Sequence, residues 1–201
     1  MISIIDYDAG NIKSVEKALE YLGQKAVITR DRDEIMASEG VILPGVGSFG
    51  DAMGKLKEYN LINTIYDVVD KKIPFMGICL GLQLLYRDSE ESPGVSGLGI
   101  LKGSILKIPE RPGLKIPHMG WNELEMGVEC PLLKNLGDAP YVYFVHSYMA
   151  ECKEENLSAW VEYGGKVPAM IYDGKFVYGA QFHPEKSGDV GLQILRNFAE
   201  L

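Results

Sequence analysis

Ile73-Pro74-Phe75-Met76-Gly77-Ile78-Cys79-Leu80-Gly81 is a short apolar run of buried-strand character that gives way, within one or two residues, to a helical pattern expected over Leu80 to Arg87. The apolar stretch Ile73 to Leu82 has ten residues and contains Pro74, Gly77 and Gly81. Crossing a bilayer takes roughly 20 residues, so this run is a core strand entering a helix and not a membrane span. Gly77 and Gly81 flank Cys79 as glycines flank the serine of a GxSxG elbow. Lacking Cβ atoms, they permit a cramped turn that lifts the central side chain over the sheet edge. A thiol there faces the positive end of the helix dipole, which favours thiolate. The competing reading is a cysteine that only packs in a tight turn.

Outward from this turn, short apolar runs alternate with amphipathic ones through the first 90 or so residues, as βαβ units around a parallel sheet do. Met1 to Ile5, Lys25 to Ile28, Val41 to Leu43 and Ile73 to Ile78 are the expected strands. Ile12, Val15, Leu19 and Leu22 give one helical face, stopped by Gly23, and Leu61, Ile65, Val68 and Val69 give another. After Asp88 the texture becomes β-rich, with Ser92 to Gly99 a Gly, Ser and Pro loop and Pro109, Pro112 and Pro117 as punctuation. Strands are expected at Ile100 to Ile108, Tyr141 to Val145, Val167 to Tyr172 and Phe176 to Phe182, with Asp173-Gly174 turning between the last two. A closing helix carries Val190, Ile194, Leu195 and Phe198 on its apolar face. The expected fold is α/β in one domain over 1–201: a mostly parallel central sheet flanked by helices, with a β-rich second half.

Composition narrows the functions. With 46% hydrophobic and 24% charged residues the chain is globular, which excludes disorder and collagen-like repeats. Twenty basic against 28 acidic residues give a net charge of −8, and no basic stripe tracks a phosphate backbone, so nucleic acid is excluded as the partner. Met1 to Ile5 lacks a preceding basic region and is followed at once by Asp6 and Asp8, unlike a secretory signal. Cys79, Cys130 and Cys152 show neither CxxC pairing nor zinc-ligand spacing, so they are expected to be reduced thiols of a cytoplasmic protein with no metal.

A sulfur nucleophile needs a base. Of His118, His146 and His183, only the last has a carboxylate in step: in Gln181-Phe182-His183-Pro184-Glu185, His183 and Glu185 stand two apart at an expected strand end and can project to one side. Glu185 would then hold the imidazole tautomer and stabilise the imidazolium. Pro184 ends that strand. The third element is Pro44-Gly45-Val46-Gly47-Ser48-Phe49-Gly50. It contains GxGxxG, yet the dinucleotide reading fails because Asp67 and Asp70, the acidic residues at the right distance, fall inside a helical pattern. An oxyanion hole fits better, an amide near Val46 or Gly47 joining that of Leu80.

Together these motifs resemble the class I, or triad, glutamine amidotransferases over essentially the whole chain, a family with a flavodoxin-like α/β fold. Asp6-Tyr7 with Gly10-Asn11, Pro117-His118-Met119-Gly120-Trp121-Asn122 and Tyr143-Phe144-Val145-His146-Ser147-Tyr148 look like the branch that supplies ammonia to imidazole glycerol phosphate synthases. Leu82, where many members carry His, sets the chain apart from the anthranilate and guanylate branches. The resemblance implies that Cys79, His183 and Glu185 hydrolyse L-glutamine through a thioester, without a cofactor. It also implies that Gly47, Gln83, His146, Ser147 and Tyr148 hold the glutamine, with Val46 and Leu80 amides at the oxyanion. The implied partner is a (β/α)8-barrel cyclase, for which 201 residues leave no room. One subunit of a heterodimer is therefore expected, with Asn11, Pro117, His118, Met119, Trp121, Asn122 and Tyr143 near the docking face and glutaminase activity low until the barrel holds its ligand. The rival readings are the glutaminase of pyridoxal phosphate synthase, a stand-alone cysteine hydrolase, and a silent binding module.

Overall fold

The computed structural model describes residues 1–201. In chain order, β1 (Ile2–Ile5), α1 (Ile12–Tyr21), β2 (Ala26–Thr29), α2 (Arg32–Met36), β3 (Gly40–Leu43), α3 (Phe49–Glu58), α4 (Leu61–Asp70), β4 (Phe75–Ile78) and α5 (Leu80–Leu84) form the first half. The second half holds β5 (Ile105–Lys107), β6 (His118–Glu123), β7 (Glu125–Met126), β8 (Tyr141–His146), β9 (Tyr148–Ala150), β10 (Leu157–Glu162), β11 (Lys166–Tyr172), β12 (Val177–Ala180) and α6 (Gly188–Ala199). One eight-stranded sheet has the order β2-β1-β3-β4-β12-β11-β10-β7. Its first five strands run parallel, and from β12 onward the pairing is antiparallel. Two further ladders, β5–β9 and β6–β8, stand apart from it.

Side-chain alternation along the strands divides the core between the two faces of the sheet. Ile4, Ile42, Met76 and Tyr178 pack with α1 and α6, while Ile5, Val41, Phe75 and Val177 pack with α3, α4 and α5. Strands buried on both faces read as continuous apolar runs, which is why β1, β3 and β4 are legible in sequence.

Several expectations need correction. No helix was expected at Phe49–Glu58, because Gly50 and Gly54 dilute the pattern. Ser48 nonetheless caps it, its Oγ accepting from Asp51 N at 3.3 Å, with Asp51 in the first turn and Lys55 and Lys57 in the last. The helix expected to run to Arg87 stops at Leu84. Carbonyls of Leu84, Leu85, Tyr86 and Arg87 are taken by amides of Leu98, Leu101, Gly99 and Gly97 respectively, so they are not free to propagate the helix. Those same bonds hold the 97–101 loop off the expected Ile100 to Ile108 strand, which shrinks to Ile105–Lys107. α2, β6, β7, β9 and β10 were not expected. The alternation Leu157, Ala159, Val161 is present in β10, but irregular register at Leu157, Ala159 and Trp160 blurs it.

The turn from β4 to α5 is the tightest place in the molecule. A Cβ on Gly81 would fall inside the carbonyl oxygen of Leu43 on β3, and one on Gly77 would lie 2.7 Å from backbone atoms of Gly81 and Leu82. Backbone cannot yield as a flexible side chain can. Gly81→Ala should therefore cost more than about 4 kcal/mol or leave no soluble protein, as urea denaturation will measure, whereas Gly54→Ala, whose Cβ would meet open space, should be neutral or stabilising.

Candidate active site

Cys79 caps α5 at φ 54°, ψ −111°, on the side of the map that non-glycine residues rarely occupy. Its amide donates to Ala180 O at 2.7 Å, so β12 holds the elbow from one side while β3 crowds it from the other. The residue is only 7% exposed.

β12 also delivers the base, though not by strand alternation. The strand ends at Ala180, not at Phe182, so Pro184 does not terminate it. Past it, Gln181 N bonds Ala169 O at 2.8 Å and His183 N bonds Tyr143 O at 3.0 Å. A single 3₁₀ turn over Pro184–Lys186 then folds Glu185 back to the ring, with His183 Nδ1 2.8 Å from Glu185 Oε1 and both side chains shielded from solvent. Ser187 locks the turn by donating to His183 O at 2.6 Å and accepting from Tyr143 N at 3.0 Å. Because a carboxylate accepts, Nδ1 carries the proton, and Nε2 has no hydrogen-bond partner. Burial pushes the imidazole down, but contacts with the Cys79 sulfur and Glu185 outweigh it and raise the ring to about 9.

Asn11, expected near the docking face, is held inward by the site itself. It is 6% exposed, sits at the N-cap of α1 without capping it, and donates from Nδ2 to Glu185 Oε1 at 3.1 Å. His118 is likewise fully buried on the inner side of β6, and Asn122 is half-buried with its amide on His118. Pro117, Met119 and Trp121 are exposed, and Tyr143 lies across the β6–β8 ladder from Trp121 with ring centroids 6.0 Å apart.

One cavity of about 370 Å³ collects the rest. Cys79 and His183 line it, with Val46, Gly47 and Leu80 beside them and Gln83, Ser147 and Tyr148 across. Gly47 has φ 103°, a conformation that explains the glycine although its Cβ would meet open space. His146 reaches the cavity wall, but its ring nitrogens are engaged by His118 at 3.0 Å and Tyr148 O at 2.8 Å, so it has no free polar atom for a ligand. Two residues went unassigned in the sequence. Glu91 lines the cavity while one oxygen accepts from Phe49 N at 2.7 Å; nothing in its Gly- and Ser-rich surroundings marks it. Gln181 directs Nε2 at Cys79 Sγ, 3.8 Å away, and its place two residues before His183 was the available signal.

The raised His183 pKa makes a stability prediction. The folded state binds a proton more tightly than the unfolded chain, where His titrates near 6.5, so this contribution is complete below about pH 6.5 and is lost as pH rises through 9. Denaturation from pH 6 to 10 should show stability falling by on the order of 3 kcal/mol, and His183→Gln should flatten that slope.

Comparison with known proteins gives the family. The model of the class-I glutamine amidotransferases matches residues 3–201. The imidazole glycerol phosphate synthase subunit HisH of Bacillus cereus (strain G9842) is 52% identical over 198 residues, covering 98% of this chain and 93% of that one. Its counterpart in Bacillus thuringiensis (strain Al Hakam) is 50% identical over 200 residues with the same coverage. Among solved structures, a glutamine amidotransferase superposes with TM-score 0.76 at 20% identity, covering 100% of this chain and 99% of that one. PurLQS from Thermotoga maritima gives 0.76 at 21%, covering 99% and 97%; these two likenesses concern the fold alone. With its elbow, its histidine–glutamate pair and a family match along nearly its full length, the chain belongs to the class-I glutamine amidotransferases.

Proposed function

We propose that this chain is the glutaminase subunit of an imidazole glycerol phosphate synthase, acting in the cytoplasm, where its three free thiols stay reduced. The observation that carries the reading is one cavity lined by both Cys79 and His183, with Glu185 seated on the far nitrogen of the ring.

The chemistry follows from the atoms present. Cys79 Sγ attacks the side-chain amide carbon of L-glutamine, and the carbonyl electrons move onto oxygen. Backbone amides of Leu80 and of Val46 or Gly47 receive that oxyanion. The His183 imidazolium, stabilised by Glu185, gives its Nε2 proton to the departing nitrogen, so ammonia leaves and a thioester remains. Water, deprotonated by the now neutral His183, attacks the thioester, and glutamate departs as sulfur recovers. No cofactor enters. At the amino-acid end of the substrate, Glu91 supplies negative charge for the α-ammonium group. Gln83 has spent its Nε2 on Tyr148 O and Gln181 Oε1, each at 3.1 Å, and so offers only Oε1.

Ammonia released into water takes up a proton and loses its nucleophilicity, so a partner must receive it by a closed route. The partner we propose is the (β/α)8 cyclase subunit, which joins ammonia to a phosphoribulosyl-formimino aminoimidazole carboxamide ribonucleotide, giving imidazole glycerol phosphate and an aminoimidazole carboxamide ribonucleotide. Met119, 61% exposed, and Trp121, 54% exposed, form an apolar outer face on β6, and Pro117 at its start also lines the cavity. That face borders the mouth of the site.

The direct test is Cys79→Ala in the assembled synthase: glutamine-dependent turnover should fall at least about a thousandfold while ammonium-supported turnover persists, and retained glutaminase activity would refute the assignment. Trp121→Ala should weaken assembly with the cyclase by roughly 10- to 100-fold in Kd, read by titration calorimetry.

A further inference from the structure

The loop that faces the Leu80 amide across the site is held only at its ends. Past β3 the chain runs through Pro44-Gly45-Val46-Gly47 before α3, and neither the amides nor the carbonyls of Gly45, Val46 and Gly47 make a hydrogen bond within the chain. Free amides are what an oxyanion needs, but a loop without internal bonds takes its position from its anchors. At the α3 end the anchors are Glu91 Oε2, which accepts from Phe49 N at 2.7 Å, and Ser92 Oγ, which accepts from Gly50 N at 3.0 Å. At the β3 end there is one, the Tyr7 hydroxyl, which donates to Pro44 O at 2.6 Å. No main-chain amide reaches that carbonyl.

Tyr7 is built as a fixed post. Its neighbours Asp6 and Asp8 both accept from Arg30 Nη2, at 2.6 and 3.1 Å, and the Tyr59 hydroxyl at the end of α3 donates to Asp8 as well. With the two flanking side chains gripped at the surface, the ring between them turns inward, 3% exposed, into the apolar layer of Leu43, Phe49 and Leu80. The hydroxyl ends against Gly45, where a Cβ would collide with Tyr7 Oη and lie 2.9 Å from both Gly81 N and Leu80 Cβ. The start of the loop is thus clamped between the phenol and the first turn of α5. Burial, with the Cys79 sulfur adding to it, raises the phenol above its ordinary value, so Oη keeps its proton and remains a donor. Without that proton the buried Pro44 carbonyl would have no partner.

We infer that Tyr7 is a positioning residue whose hydroxyl, through Pro44, sets the Val46 and Gly47 amides relative to the Leu80 amide and so fixes the width of the oxyanion hole. The inference rests on the glutaminase reading above.

The test is Tyr7→Phe, which keeps the ring and deletes the one bond. In the synthase complex, kcat for glutamine hydrolysis should fall roughly 10- to 100-fold with KM within about twofold, because the oxyanion needs the hole more than the ground-state carbonyl does. Alkylation of Cys79 by iodoacetamide, in which sulfur displaces iodide and no oxyanion forms, should keep its wild-type rate, read by mass spectrometry of the Cys79 peptide. An unchanged kcat, even with lowered stability in urea, would overturn the inference while leaving the glutaminase reading intact. So would an equal fall in alkylation, which would mean that the thiol itself had moved. A wild-type complex that does not hydrolyse glutamine would overturn the reading and the inference together. Independently of any variant, carbon NMR of tyrosine labelled at Cζ should find the wild-type Tyr7 hydroxyl exchanging with solvent far more slowly than that of Tyr21, which is 80% exposed, and equal rates would defeat the proposal.

Discussion

Everything chemical in this molecule depends on how closely one turn of backbone can approach another. Gly81 lies against the Leu43 carbonyl and Gly77 against the first turn of α5, and only with both side chains absent does the chain reverse sharply enough to raise Cys79 above the sheet. The φ of 54° at Cys79 is costly, on the order of 1–3 kcal/mol for a residue with a side chain. It persists because the surroundings over-determine it: β3 on one side, the Ala180 carbonyl on the other, and a fully buried apolar layer on each face of the sheet, where a single Leu or Ile is worth roughly 1.5–3 kcal/mol.

The histidine–glutamate pair shows the opposite economy, in which local stability is given up for a polar contact. Asn11 stands where an asparagine would cap α1, a bond worth about 1 kcal/mol, yet its amide points to Glu185 instead. A carboxylate with both an imidazole and an amide on one oxygen has little freedom to rotate, and a ring held through Nδ1 leaves Nε2 unpartnered in a cavity that Cys79 also lines. Ser187 and the Tyr143 backbone then tie this turn to β8, the strand whose outer face lies beside Trp121.

The parallel half of the fold was legible because strands buried on both faces leave uninterrupted apolar runs, and because Gly77 and Gly81 mark a turn that few other sequences require. The meeting of Cys79 with His183 was legible for a related reason: both are scarce residue types in distinctive settings. What escaped was set by contacts distant in sequence. α5 stops at Leu84 because amides from the 97–101 loop claim its carbonyls, and the loop's composition gives no hint of that. Glu91 enters the cavity through a bond to Phe49, 42 positions away. The pairing of His183 with Glu185 was anticipated, but from a strand geometry that the 3₁₀ turn replaces. The enclosure of Asn11 and His118 was not legible, because a polar side chain gives no sign in sequence of how fully it is buried.

The place of β12 in the sheet has a consequence for biosynthesis. Although this strand is made after β10 and β11, it lies between β4 and β11, so the sheet cannot close around the elbow until residues 177–180 have left the ribosome. Gln181 and Cys79, in contact in the finished molecule, are 102 positions apart. A nascent chain that has emerged only as far as β11 holds the Cys79 thiol without the His183 ring that will share its cavity.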